Sequence, residues 1–331
     1  MKQKYFLGDD MSVSDNGGAI AIKGFNFQKA SAILVMLHNL DDENLIFIPE
    51  SKEDFEVRND KLVYYVQVKS IKSLSLSKML SQKKSKKKSP IPGSSIIEKN
   101  LVPGYDEDYR KIIVSNLNLG TQSKLKTKNS GLSVSPNYTW SEEQIDQIST
   151  KLSLNKKQVQ RLSNQEIFKT PFPDVMSTAI VMLKGKMVEL GLSITDESAT
   201  AALGILTLEI DTKSEIINNE RDKQITGTYL KKLFESVKHN KLFEEILNDL
   251  GLNIIQKNRV QKEKVKITQM YVSLRCEIEE KIDISCFSDD MKNKDIIDYL
   301  LPIVSSYKPS LNKDLCIALS IDCLCNLMEK S

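Results

Sequence analysis

Histidine is nearly missing from this chain: only His38 and His239 occur in 331 residues, far apart. No Arg-spacer-His element accompanies them, so a histidine-based ribonuclease centre has no support. Cysteine is scarce and poorly spaced for metal. Cys276, Cys286, Cys316, Cys323 and Cys325 all fall in the last quarter, are odd in number and include no Cys-x-x-Cys pair. A zinc site is therefore not expected, and reduced, mostly buried thiols are. No apolar run stands out as a membrane span. The first short apolar run is set among charges, in MKQKYFLGDD, which argues against a secretory signal. A cytoplasmic protein without a membrane partner is expected. Strong charge of one sign is also missing, since 47 Lys and Arg face 44 Asp and Glu, leaving +3. Any contact with nucleic acid must come from local clustering rather than from the field of the whole chain.

What is present gathers between Gly24 and Ser70. Phe27, Ala30, Ile33, Leu34, Leu37 and Leu40 follow helical spacing and make one apolar stripe, with Gln28 near its start. Leu45 to Ile48 reads as a short buried strand. Glu53 to Val57 then alternates polar and apolar residues, Arg58-Asn59-Asp60-Lys61 supplies turn chemistry, and Leu62 to Val68 is rich in Val and Tyr. Side chains alternate across a strand, so Asp54 and Glu56 share one face, and Gln67 and Lys69 share a face of the next strand. Superposed, these faces bring carboxylate, amide oxygen and ammonium together. Phosphodiester hydrolysis uses such a set: hard oxygen donors hold Mg²⁺, which acidifies bound water, and a lysine offsets developing charge or helps deprotonate that water. Glu56 is expected as the exposed member of a cross-strand pair.

An acid on one strand followed by Glu/Gln-x-Lys on the next resembles the PD-(D/E)xK nuclease superfamily. GFNFQ ahead of it resembles the helix of the Mrr-like branch. Together GFNFQ, PESKEDFEV and YYVQVKS resemble the double-stranded-DNA endonuclease domain used as an effector in CBASS and Lamassu anti-phage systems. The resemblance spans about Gly18 to Ser70 and extends more weakly to Asn118. It implies that Asp54 is the metal-binding acid, Gln67 the second ligand and Lys69 the catalytic lysine, with Glu50 and Gln28 as accessory groups. Two positions depart from the superfamily pattern: Gln67 stands where the classical acid would, and Glu53 where a glycine is usual. The implied activity is Mg²⁺- or Mn²⁺-dependent cleavage of double-stranded DNA by the effector of a phage or plasmid defence system. Such an effector works with partner subunits such as an SMC-like sensor and as a homo-oligomer when active. The helical half shows no recognisable cyclic-nucleotide sensor motif, which favours a Lamassu system. A catalytically inactive DNA-binding or adaptor subunit and an RNA-directed nuclease are the alternatives.

The expected organisation is a leader over 1–17, an α/β restriction-endonuclease-like domain over 18–118, a polar linker over 119–139 and an all-α association or regulatory domain over 140–331. A lysine-rich loop over 81–95 carries Lys83, Lys84, Lys86, Lys87 and Lys88 ahead of Pro90, Pro92 and Gly93. It reads either as a solvated, disordered loop or as a phosphate-binding segment. Ser141 is the expected N-cap of the first helix of the all-α part. The stretch from Gln144 to Gln165 has a helix-turn-helix cadence. Helices are expected from Val175 to Leu190, closed by Gly191, from Thr195 through Ile210, and from Tyr229 to Leu250. A further one from Asn293 is expected to end or kink at Pro302, and the last spans Leu311 to Met328.

Overall fold

The computed structural model describes residues 16–71, 73–118, 126–128, 137–192, 195–288 and 290–330. Residues 1–15 of the expected leader and most of the expected linker lie outside the described residues. The chain forms two compact units, Met1–Leu190 with Leu203–Lys231, and Gly191–Ala202 with Lys232–Ser331.

The first unit is built on a sheet of eight strands among the described residues, in the order β5-β6-β7-β4-β3-β2-β1-β8. Its strands are β1 (Ile46–Pro49), β2 (Phe55–Arg58), β3 (Val63–Lys69), β4 (Tyr109–Val114), β5 (Lys126–Lys128), β6 (Asn137–Thr139), β7 (Gln165–Lys169) and β8 (Ile225–Thr226). β3 pairs with β4 and β4 with β7 in parallel, and the remaining pairs are antiparallel. The helices, in chain order, are α1 (Gly17–His38), α2 (Leu76–Met79), α3 (Ile96–Asn100), α4 (Glu142–Leu152), α5 (Lys156–Ser163), α6 (Met176–Glu189), α7 (Asp196–Ser214), α8 (Gly227–Asp249), α9 (Ile254–Met270), α10 (Val272–Glu279), α11 (Asn293–Tyr307) and α12 (Lys313–Lys330).

The α/β unit thus runs past the expected end at 118. β4, a buried parallel strand, would otherwise present an open edge, and β7 covers it. β6 in turn pairs with β7, and β5 with β6, inside the stretch expected as a linker. The helix-turn-helix cadence belongs to α4 and α5, which lead into β7. Arg161 of α5 is tied to Asp106 at 2.7 Å and donates to the carbonyls of Leu101, Val102 and Gly104. Ser141 caps α4 as expected: its hydroxyl accepts from the Gln144 N–H while the Gln144 side chain takes the Ser141 N–H.

Each face of the sheet has its own cover. On one, Leu74, Met79, Ile97, Ile112, Val114, Trp140, Ile148 and Ile167 form a closed cluster. On the other, α1 packs on β3 and α6, with Phe27 edge-on to Phe172 at 6.1 Å. α1 is the one described helix long and apolar enough to cross a membrane, an exception to the reading that no such run exists. Its residues from Ser31 to Leu37 are buried in the fold, as in the core helix of a globular unit. On the far edge, β8 runs into α8 beside β1. A Cβ on Gly227 would come 2.0 Å from the Asp42 carbonyl oxygen, so only glycine passes there.

The second unit is helical and has a separate core that includes Phe243, Ile246, Val260, Ile267, Ile297, Leu300, Val304, Leu319 and Cys323. Of the two outcomes expected at Pro302, an end to the helix does not occur, and the expectation of mostly buried thiols holds. α11 continues through Pro302 to Tyr307. Pro302 and Asp298, whose carbonyl loses its partner, are both exposed, so water can take the freed bond. The thiols divide: Cys316, Cys323 and Cys325 are buried, whereas Cys276 and Cys286 are exposed.

Candidate active site

The site forms where the turn between β1 and β2 meets the end of β3. The turn is tight, with the Glu50 N–H donating to the Asp54 carbonyl at 3.0 Å and Glu50 at φ 45°. A left-handed conformation at a non-glycine residue needs support from its surroundings. Two side chains supply it. The Lys223 ammonium donates to the Glu50 carbonyl. Gln28 of α1 donates to the Glu50 carboxylate at 2.6 Å and to the Asp54 carbonyl at 3.0 Å.

Asp54 precedes β2, and its Oδ2 accepts from the Val68 N–H at 2.5 Å. The same oxygen lies 4.0 Å from Lys69 Nζ, and both side chains are 28% exposed. Gln67 is 3% exposed. Its Nε2 donates to Glu53 at 3.3 Å, whereas its buried Oε1 has no hydrogen-bond partner. The opposite orientation of the amide would set its oxygen against the Glu53 carboxylate, so the polarity is fixed by that neighbour. The fold therefore brings Gln28, Glu50, Asp54, Gln67 and Lys69 into one neighbourhood.

Glu56 is placed otherwise than expected. It is fully buried, accepts from Ser51 at 3.0 Å and from Arg58 at 2.5 Å, and Arg58 reaches Glu220 at 2.7 Å. A buried carboxylate survives because it is paired, and this one pins the turn ahead of Asp54. Glu53 is the side chain that strand alternation misses. β2 begins only at Phe55, so the pleat does not yet separate residues 53 and 54. Burial, and then the Asp54 charge beside it, push the Glu53 carboxyl up to about 7. Asn100, the last residue of α3, donates to Glu53 at 3.4 Å and to the Tyr65 carbonyl at 3.3 Å. Asn100 and Lys223 also escape a sequence reading, because each reaches the site from a distant segment. The adjacent acids Glu53-Asp54 are the only visible signal.

The lysine run is ordered as a closed loop. The Ile91 N–H meets the Lys83 carbonyl and the Ser85 N–H the Ser89 carbonyl, both at 2.8 Å, and Lys88 turns at φ 62°. Lys83, Lys84, Lys86, Lys87 and Lys88 are all exposed. Glu98 of α3 anchors the loop through Gln82 and the Gly93 N–H, each at 2.8 Å, so one short helix holds both the loop and, through Asn100, the Glu53 side of the site.

Among the described residues no three His, Cys, Asp or Glu side chains group as metal ligands. A divalent cation here must use the amide as well as carboxylates. The donors fit a hard cation, because Asp54 is half-open and Gln67 Oε1 is a buried acceptor lacking a donor.

Residues 16–192 match the family model described as "Cap4, dsDNA endonuclease domain". The chain belongs to the Cap4 double-stranded-DNA endonuclease family. The Cap4 match takes in β1 to β7 and ends past α6, so it carries the longer α/β unit rather than the shorter one expected from sequence. A curated relative, the Lamassu protein LmuA of a Bacillus species, is 42% identical over 322 residues, covering 95% of this chain and 99% of that one. The kinship of this Cap4 nuclease therefore extends through the helical unit.

Proposed function

We propose that this Cap4-family chain is the metal-dependent endodeoxyribonuclease effector of a bacterial Lamassu-type defence against phage or plasmid, working in the cytoplasm. The observation that carries the reading is the half-open Asp54–Lys69 pair beside the unpartnered Gln67 oxygen. Asp54 and Gln67 would hold Mg²⁺ or Mn²⁺, which when bound supplies positive charge to a phosphate and acidifies water. Lys69 faces the same opening; it offsets charge building on the phosphate oxygens or takes a proton from the attacking water. Gln28 orients Glu50, and Lys223 keeps the turn closed, so Asp54 enters the reaction with its position already set. The lysines from Lys83 to Lys88 suit the duplex backbone.

Restraint comes from assembly. A free nuclease of this kind would cut its host chromosome, and the helical part of the chain is the element available to hold partner subunits, an SMC-like sensor among them. On activation, copies of the chain gather on duplex DNA so that two centres cut the two strands. The kinship to a Lamassu protein along both units supports this reading.

The test is incubation of the chain, alone and with its genomic neighbours' products, with supercoiled plasmid, linear duplex and RNA, in Mg²⁺ and in chelator. Mass in solution is measured alongside. Duplex cleavage that needs Mg²⁺ and rises with a change in assembly is expected. Cleavage of RNA alone, or DNA binding without cleavage, would overturn it.

A further inference from the structure

We propose that Glu53 is a third ligand of the divalent cation and supplies the second carboxylate that Gln67 does not. The inference rests on the metal-dependent reading above. Three observations lead to it. First, Glu53 and Asp54 are consecutive, yet both side chains serve the same site: Glu53 meets Gln67, and Asp54 meets the end of β3 at Val68 and Lys69. They lie ahead of the first residue of β2, where alternation does not apply.

Second, among the described residues Glu53 accepts only from neutral donors. Gln67 Nε2 at 3.3 Å and Asn100 Nδ2 at 3.4 Å each donate once, both at the long end of the hydrogen-bond range. An ionised carboxylate accepts about four such bonds, so both oxygens retain capacity. Among the described residues Glu53 has no ion-pair partner, and the neighbouring Lys69 pairs with Asp54. A carboxylate drawn out of water without a countercharge is costly.

Third, Gln67, which grips Glu53 through its nitrogen, has a buried oxygen with no donor. A cation at this point answers both deficits: it gives the Glu53–Asp54 pair its missing positive charge and the Gln67 oxygen its missing partner. The donor set becomes two carboxylates and an amide, and ligand charge count sets how tightly such a site binds. It also accounts for the two departures from the superfamily pattern together, because the acid absent at Gln67 reappears at Glu53.

The test is Mn²⁺ binding by titration calorimetry on the full chain without DNA, with thermal unfolding of each variant in chelator. Glu53→Gln keeps the shape and one of the two acceptor oxygens but removes the charge. It is expected to unfold like wild type and to bind Mn²⁺ at least tenfold more weakly. Asp54→Asn is expected to weaken binding further. Adding Gln67→Glu to Glu53→Gln restores the carboxylate count and should recover binding to within about threefold, a rescue that a merely structural Glu53 would not produce. Wild-type affinity in Glu53→Gln with loss in Asp54→Asn would overturn the role of Glu53 and leave the metal reading standing. No Mn²⁺ binding by the wild-type chain would overturn the metal reading itself.

Discussion

Two lysine–carboxylate pairs lie on opposite faces of the same sheet. Lys111 of β4 and Glu166 of β7 are 3.3 Å apart and 2% and 1% exposed. Lys69 of β3 and Asp54 are 4.0 Å apart and 28% exposed each. Lys111 is level with Val66 and Lys69 with Val114, so the two lysines point to opposite sides. The Lys111 ammonium also lies 4.9 Å from the centre of the Tyr64 ring, whose hydroxyl is pushed well above its ordinary pKa, chiefly by burial. The sealed pair has exchanged water for fixed partners and has no opening for a substrate. The open pair is looser and reaches solvent. Residue type does not separate the two pairs; access and slack do.

The largest effect is expected at the sealed pair. Lys111→Met takes the ammonium at 3.3 Å from the buried Glu166 and should lower stability by about 3–5 kcal/mol, read from the midpoint of chemical unfolding. Adding Glu166→Leu should recover most of the loss, because an apolar pair of similar volume suits a dry site. If Lys111→Met unfolds like wild type, burial does not separate the two pairs.

The open pair is legible in the sequence and the sealed pair is not. Gln67 and Lys69 stand on a strand whose alternation is local, Asp54 is marked by the short acidic stretch before β2, and the Ser141–Gln144 capping box is local too. The strand character of Gln165–Lys169 comes from the open edge of β4, far along the chain, so its residues pass for helical ones. Glu56 reads as exposed because its partners Arg58 and Ser51, which make its burial tolerable, are visible only once the turn is folded. α9 escapes notice because KNRVQKEKVK is charged on most sides and keeps only Val260 and Ile267 for the core. Glu53 is hidden because period-2 logic does not hold in the turn before the strand begins.

A smaller effect sharpens the open side. Gln67→Leu should lose most cleavage, about tenfold or more, with little change in fold, whereas Gln67→Glu should keep at least part of the activity. Cleavage by Gln67→Leu at the wild-type rate would remove the amide from the site. Smaller still at fixed salt is the lysine loop. Replacing Lys83, Lys84, Lys86, Lys87 and Lys88 by serine should weaken duplex binding and flatten its salt dependence. The slope of log K against log salt should fall by about 0.9 for each phosphate that a lysine no longer neutralises. An unchanged slope leaves the loop a solvated surface.

The mildest contrast is in pH. Burial, then Lys186, hold His38 in the first unit down from 6.5 to about 4. The unfolded chain binds that proton first, so the contribution of His38 is complete above pH 6.5 and fades as pH falls toward 4. In the second unit burial acts to lower the pKa of His239, but Asp322 at 2.9 Å and Glu329 at 3.4 Å outweigh it and raise it. Its contribution is complete below the ordinary 6.5 and fades as pH rises through the folded value. Thermal unfolding across pH should therefore become flatter on the acid side in His38→Asn and on the neutral side in His239→Asn. The same change in both variants would contradict the opposite signs.

The most direct measurement is duplex-DNA cleavage in Mg²⁺ by purified Asp54→Ala and Lys69→Ala, each with its unfolding midpoint. The open pair is predicted to be the reacting one, so both variants should lose about a hundredfold or more in rate while unfolding close to the wild-type midpoint. Undiminished cleavage by both variants would contradict the account.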